Sequence, residues 1–140
     1  MEKFKGMMTS LSPHYATPKW LYEELNKEFN FNDDPCPLNA KVNGLDRNWG
    51  TSTFVNPPYG REISKWVWKA WHEAFFRDIT VVCLLPSRTD TKWWHKWVMA
   101  SNEIRFIKGR LKFGDCENSA PFPSCVVIFN LKKGKKNGKI

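Results

Sequence analysis

The stretch TFVNPPYGREISKWVWKAWHEAFFRDITVVCLLP, residues 53–86, determines the fold class. It ends in an uninterrupted apolar run at 80–85 that Pro86 stops, as expected of a buried central strand. Before that run, apolar residues recur at helical spacing over 62–76, which predicts an amphipathic helix. Because a short strand precedes this helix, the order strand, helix, strand predicts an α/β fold.

The flanking sequence extends this alternation of strands and helices. Thr17 is typical of a helix N-cap and Pro18 of a first helical position, so a helix is predicted over 18–28. A third helix is predicted over 91–100. Further strands are predicted at 29–34, 104–107 and 125–129. We therefore expect about five strands in a largely parallel sheet, with an antiparallel pair at its end.

Length and composition predict one globular unit. With 140 residues, of which 41% are hydrophobic, we expect one domain at 14–130, a flexible arm at 1–13 and a basic flexible tail at 131–140. No apolar run of about eighteen residues and no leader-like segment occurs, so a soluble, unexported protein is expected. The four cysteines lack CxxC spacing, so we expect no metal site.

The charge favours a polyanionic partner. The formal net charge is +8, and five of the lysines lie in the predicted tail. Without those five, 17 basic residues remain against 14 acidic ones. The tail is therefore expected to add salt-sensitive affinity for phosphates rather than to belong to the folded domain.

The chemistry is concentrated in Asn56-Pro57-Pro58-Tyr59, the NPPY loop, which follows the apolar residues 53–55. An exocyclic amine of a nucleobase is a poor nucleophile, because its lone pair is delocalised into the ring. The side-chain oxygen of Asn56 and the carbonyl of Pro57 could accept its two protons, and two prolines stiffen the loop. Tyr59 offers a ring on which a base could stack. The loop also fits a simple Pro-Pro turn that ends a strand.

The predicted topology brings other polar residues to the NPPY loop. Ligands of open α/β sheets bind beyond the carboxyl ends of the strands, where Asp34, Asn56 and the segment 86–88 would lie. Asp34 could instead form an Asx turn or cap a helix. Thr17 could serve as a helix cap, as a neighbour of a ligand, or as both.

Several motifs together resemble the small phage and prophage DNA adenine methyltransferases of the Dam type. These motifs are YATP (15–18), FNDDPC (31–36), NPPYG (56–60), LLPSRTDT (84–91), FIKGRLKFG (106–114) and APFPS (120–124). The resemblance implies a compact Rossmann-like fold with helices on both faces of the sheet. It also implies transfer of a methyl group from S-adenosylmethionine to the 6-amino group of adenine in DNA, in the cytoplasm of a bacterial host.

The resemblance also implies roles for individual residues. The catalytic residues would be Asn56, Pro57, Pro58 and Tyr59, which hold a flipped-out base. The cofactor would be bound by Tyr15, Thr17, Pro18, Asp34, Pro35, Cys36 and Asn56. One departure is that residues 34–37 contain no glycine, where broader methyltransferases carry a glycine-rich turn.

DNA contacts are expected from Arg61, Arg88, Lys108, Arg110 and Lys112. Arg88 could instead pair with Asp90. The residues Lys108, Arg110 and Lys112 could instead form the solvated face of a strand. No separate target-recognition domain is expected to fit the length. The recognised DNA sequence would then be short, or sequence specificity would come from residues 108–114 or from a second subunit, as in a homodimer. Alternatives are transfer to the 4-amino group of cytosine or to a side-chain amide, and a non-catalytic DNA-binding protein.

Overall fold

Three helices and one four-stranded sheet form the described part of the computed structural model. It describes residues 15–38, 40–114 and 118–131, so the predicted arm and nearly all of the predicted tail lie outside the described residues. The helices are α1 (Lys19–Phe29), α2 (Ile63–Phe76) and α3 (Lys92–Lys96). The strands are β1 (Ser52–Val55), β2 (Thr80–Pro86), β3 (Glu103–Phe106) and β4 (Ser124–Phe129).

The sheet is mixed, with the strand order β1-β2-β4-β3. β1 and β2 run parallel and are joined through α2, which confirms the strand-helix-strand unit and the α/β class. The pairs β2–β4 and β3–β4 are antiparallel, so the prediction of a largely parallel sheet is wrong. The chain between β3 and β4 starts and ends at one edge of the sheet, and β4 must therefore run back against its neighbours.

The predicted helices and strands match the structure closely, with three differences. The predicted strand at 29–34 is reduced to one parallel bridge between Asp33 and Thr53. The predicted helix at 91–100 is α3 followed by a short 3₁₀ helix, Val98–Ala100. The N-cap of α1 is Pro18 and no side chain caps it, so the prediction of Thr17 as the cap is wrong.

The strand directions place several connections at one edge of the sheet, here called the site edge. Val55 pairs with Cys83, and the NPPY loop follows at once. Pro86, the last residue of β2, pairs with Ser124, the first residue of β4. β3 runs parallel to β2 and ends at the same edge. Thus the NPPY loop, the segment after β2 and the β3–β4 connection all lie at the site edge.

A buried ion network joins α2 to the chain before β1. Glu73 is 1% exposed. Its carboxylate accepts hydrogen bonds from the Trp49 N–H at 2.9 Å and from Arg77 at 2.6 Å, and it lies 3.2 Å from the Lys69 ammonium. Burial alone would raise the pKa of Glu73, but these partners lower it below the ordinary value. The network therefore stabilises the folded state in its ionised form.

None of the described helices is long and apolar enough to cross a membrane.

We predict that Glu73→Gln lowers the free energy of unfolding at pH 7 by about 3 kcal/mol, because it leaves the largely buried Lys69 and the partly exposed Arg77 without their counter-charge. Since the folded pKa of Glu73 is lowered, its contribution is complete above about pH 5 and is lost as the pH falls through the folded value. The variant should therefore lose less stability than the wild type between pH 7 and pH 3.5. Urea unfolding at both pH values measures this.

The matched control is Glu62→Gln, which removes an exposed carboxylate 3.7 Å from Lys65 just before α2. This control should change the unfolding free energy by less than about 0.5 kcal/mol. Equal losses in the two variants at pH 7 would contradict the role given to Glu73.

Candidate active site

The side-chain amide of Asn56 is held from one side only. Its Nδ2 donates to the carbonyl of Tyr15 and, at 3.0 Å, to the hydroxyl of Thr17. Its Oδ1 is buried and has no hydrogen-bond partner among the described residues. Because both N–H groups are used by the protein, the orientation of the amide is set and the oxygen remains as a free acceptor.

Two connections hold the segment that carries Tyr15 and Thr17 against the end of the basic segment 108–114. The Gly114 N–H donates to the carbonyl of Ala16 at 2.9 Å. The ring of Tyr15 packs on that of Phe113 at 5.1 Å. Gly60 directly follows the NPPY loop. Its φ of 144° is a conformation that favours glycine, and the chain then enters α2.

A cavity of about 540 Å³ opens beside Asn56 and is here called the Asn56 cavity. Its volume lies within the range of small-molecule sites. Its lining includes Thr17, Tyr22, Glu23, Asp34, Cys36 and Asn56. The structure thus brings four predicted cofactor residues, Thr17, Asp34, Cys36 and Asn56, to one cavity, and it adds Tyr22 and Glu23.

Asp34 both forms an Asx turn and lines the cavity. Its Oδ1 accepts from the Cys36 N–H at 3.1 Å, which confirms the turn that the sequence left open. Partial burial raises the pKa of Asp34, and the charge of Asp33 adds to this. Unlike Asp34, Asp33 is fully engaged by other groups. Its carboxylate accepts two hydrogen bonds from Arg47, at 2.7 and 2.9 Å, and one from the Gly50 N–H at 2.9 Å.

The other predicted cofactor residues lie around the Asn56 cavity rather than on its wall. Tyr15 contributes its carbonyl to Asn56, and Pro18 begins α1. Pro35 is buried and lines a smaller cavity of about 220 Å³, which Cys36 also lines. Burial and the charge of Asp34 raise the pKa of the Cys36 thiol to about 12, so this group is a neutral thiol at pH 7.

Tyr59 belongs to an aromatic cluster at the site edge. Its ring is 6% exposed and lies 5.5 Å from the rings of Tyr15 and Phe122, while Phe113 is 6.2 Å away. Its hydroxyl donates to the carbonyl of Leu84 at 3.0 Å, and burial raises the pKa of the hydroxyl well above its ordinary value. Tyr59 therefore holds the NPPY loop against β2 and stays protonated.

The residues predicted to contact DNA are all exposed, and they surround this cluster. In the basic loop, residues 108–114, Leu111 and Phe113 are 4% and 3% exposed and point inward. Lys108, Arg110 and Lys112 are exposed. The segment is a loop and not a strand in the structure. Arg61 and Arg88 are also exposed, and the Arg88 guanidinium lies 5.7 Å from the Phe122 ring.

Sequence reasoning missed Tyr22, Glu23 and Arg47. Tyr22 and Glu23 are helix positions whose spacing from Leu21 and Leu25 indicates only that they leave the core face of α1. Arg47 lies in a segment without periodicity, fourteen positions from its partner Asp33. No local pattern reveals such a pair.

Comparison of the sequence with known proteins identifies the family of this chain. The family described as Dam, DNA N-6-adenine-methyltransferase, matches residues 7–137. A DNA N-6-adenine-methyltransferase of Haemophilus phage HP1 (strain HP1c1) is 30% identical over 137 residues, covering 84% of this chain and 79% of the relative. These findings confirm the resemblance drawn from the motifs. The chain belongs to the Dam family of DNA N-6-adenine-methyltransferases.

Proposed function

We propose that this DNA adenine methyltransferase binds the 6-amino group of a flipped-out adenine at Asn56, beside S-adenosylmethionine in the Asn56 cavity. Membership of the Dam family establishes the reaction, which is methylation of adenine in DNA. The assignment of the site rests on one observation. Asn56 lines the cavity and keeps a buried amide oxygen with no partner among the described residues. A buried acceptor of this kind is costly unless a ligand completes it.

The free acceptor suits the amine of adenine. Oδ1 of Asn56 accepts one amine proton, and the carbonyl of Pro57 accepts the other. Holding both protons localises the lone pair of the nitrogen for attack. As the nitrogen bonds to the methyl carbon, the bond from that carbon to the sulfur of the donor breaks, and the sulfur leaves as a neutral thioether. The surplus proton of the nitrogen then leaves to water. In this scheme the buried hydroxyl of Tyr59 is no base, since its raised pKa keeps it protonated.

The lining of the cavity fits S-adenosylmethionine, which supplies an electrophilic methyl group on a cationic sulfur. Asp34 and Glu23 offer carboxylates to hydroxyl groups and positive charge. Phe54 and Tyr22 offer apolar surface. The residues 34–37 turn through the Asp34 carboxylate instead of through glycines. The main chain there approaches a ligand less closely than a glycine-rich turn does, so the side chains carry more of the binding.

Adenine reaches Asn56 only after it leaves the double helix, because its amine is paired inside the duplex. The ring of Tyr59 is 6% exposed, so stacking of the base on it requires the ring of Tyr15 to move aside. The basic loop lies next to these rings and would hold the backbone of the flipped strand. We propose that this reaction takes place in the cytoplasm of a bacterial host, where DNA and the methyl donor are both available.

Incubation of the protein with unmethylated duplex DNA and methyl-labelled S-adenosylmethionine should yield labelled N6-methyladenine. Asn56→Ala should lower kcat by at least about a hundredfold, the scale of losing one buried group that stabilises a transition state. Digestion of the product and chromatography identify the methylated base. Label on the 4-amino group of cytosine, or normal turnover by Asn56→Ala, would contradict the proposal.

Thr17→Val should lower kcat by about tenfold or more, because it removes an acceptor that orients the Asn56 amide. The affinity for S-adenosylmethionine should change by less than about threefold. Thr17→Ser keeps the hydroxyl and should restore turnover. Single-turnover rates and calorimetric titration separate the two effects. An unchanged rate with strongly weakened cofactor affinity would make Thr17 a cofactor ligand only.

Asp34→Asn should weaken binding of S-adenosylmethionine by about tenfold or more, since it removes a charged acceptor from the cavity. Because the pKa of Asp34 is raised, affinity should also begin to fall at a higher pH than an ordinary aspartate would give. Calorimetric titration between pH 8 and pH 5 tests both statements. The control is Asp78→Asn, an exposed residue before β2 at the opposite edge of the sheet. Equal affinity in both variants would remove Asp34 from the cofactor site.

Replacement of Lys108, Arg110 and Lys112 by alanine should weaken DNA binding and flatten its dependence on salt. Each lost phosphate contact lowers the slope of log K against log salt concentration by about 0.9. Fluorescence anisotropy with a labelled duplex at several salt concentrations measures the slope. Lys27→Ala, on the exposed side of α1, should leave it within about 0.3 of the wild type. An unchanged slope in the triple variant would place the DNA elsewhere.

A further inference from the structure

Beyond its first turn, where Ser64 and Lys65 are exposed, α2 is apolar on both of its sides. Ile63, Val67, Ala70 and Ala74 are buried in the core. With 3.6 residues per turn, the opposite side carries Trp68, Trp71, His72, Phe75 and Phe76, here called the aromatic face. A helix that is apolar all round is normally buried all round. The aromatic face is therefore unlike the outer side of a helix that meets water.

The charges of α2 reinforce this contrast. Lys69 and Glu73 lie on the core side of the helix, with side chains 11% and 2% exposed. By contrast, Trp68, Phe75 and Phe76 on the aromatic face are 41%, 47% and 57% exposed. Polarity is thus inverted over the second half of α2. Large aromatic side chains with few charges are typical of the centre of a protein interface.

The rings of the aromatic face form one continuous surface. His72 lies 4.8 Å from both Trp68 and Phe76, and Trp71 lies 5.1 Å from Phe75. Trp97, which follows α3, extends the surface at 4.8 Å from Trp71. The face therefore has continuous, partly exposed apolar area, as an interface lacking its other half would.

We propose that this face joins two copies of the chain into a homodimer related by a twofold axis. At about 200 Å² for a large aromatic side chain, the exposed parts of these rings amount to roughly 400 Å². That area is about half of the 800 Å² or so that each partner contributes to a standard dimer interface, and it would form the centre of the interface. A twofold interface requires a patch that complements itself, and an uncharged aromatic patch does so without repulsion.

Charge decides between a second copy and DNA as the occupant. DNA binding requires cations that neutralise phosphates, whereas the second half of the aromatic face carries aromatic rings and His72. Two chains of net charge +8 repel each other, so their contact is best placed where formal charge is absent. The second half of α2 meets this requirement on the aromatic face, with Lys96 at its border 5.1 Å from the Trp97 ring, whereas the basic loop carries three exposed cations.

The position of the face leaves the active sites open. α2 begins just after the NPPY loop and carries the chain about 20 Å to the amino-terminal end of β2. Phe75 and Phe76 therefore lie toward the edge of the sheet that is opposite to the Asn56 cavity. A dimer formed there presents two basic loops and two cavities to DNA.

Sedimentation velocity of the full chain between about 1 and 100 μM tests the dimer. The wild type should reach twice the monomer mass of 16.4 kDa as its concentration rises. Phe76→Glu should raise the dissociation constant by about a hundredfold or more. Loss of one central aromatic anchor typically weakens an interface tenfold or more, and each dimer contains two copies of the change.

The matched control is Phe106→Glu, because Phe106 is 67% exposed and lies on β3. This control should dimerise like the wild type, and circular dichroism should show both variants folded. A wild type that stays at the monomer mass throughout the range overturns the proposal. If that monomer loses DNA affinity in Phe76→Glu but not in Phe106→Glu, the face binds DNA instead. Equal dissociation of the dimer by both substitutions also overturns the proposal.

Discussion

The proposed mechanism depends on the direction in which the side-chain amide of Asn56 points. An asparagine side chain can present its oxygen or its nitrogen, and only the oxygen can accept a proton from an amine. Here the Tyr15 carbonyl and the Thr17 hydroxyl take the nitrogen side of Asn56. The oxygen is left buried and open to a ligand. The segment before α1 thus fixes the orientation of the Asn56 side chain, although it lies about forty residues earlier in the chain.

The mixed sheet explains how distant segments meet at this amide. Parallel pairing of β1 and β2 sends both strands toward the same edge, as in other α/β proteins. The antiparallel β4 then starts at that edge, so the β3–β4 connection stays beside the NPPY loop. Leu111 and Phe113 anchor this connection in the core, and the cations between and beside them remain in solvent. One edge therefore carries the acceptor, the cavity and the cations that we propose to bind phosphates.

Much of the fold was predictable because its elements have strong local patterns. The apolar run before Pro86 and the helical stripe over 62–76 need no tertiary information to be recognised. Strand direction is different, because it depends on which edge a long connection returns to. For that reason a largely parallel sheet with one antiparallel pair at its end was predicted, whereas β4 pairs antiparallel with both β2 and β3. The prediction of a strand at 29–34 was also wrong, since these residues form only one bridge, between Asp33 and Thr53.

The candidate site was predictable to a similar extent. The NPPY loop and Asp34 stand out because few other chemistries require those residues after a strand. Thr17 lines the Asn56 cavity, but its predicted role as the cap of α1 was wrong. A threonine before a proline has the local signature of a helix cap, and only the tertiary structure brings its hydroxyl to Asn56. The Arg47–Asp33 pair depends on contacts between segments without periodicity.

A crystal structure with duplex DNA and an unreactive analogue of S-adenosylmethionine would show whether Asn56 Oδ1 binds the amine of the flipped adenine. The quantity to measure is the distance from Asn56 Oδ1 to N6 of the flipped adenine. We expect about 2.7–3.2 Å, with Nδ2 still donating to Tyr15 and Thr17. An adenine N6 more than about 4 Å from Oδ1, or an amide turned so that Nδ2 faces the base, would contradict the account.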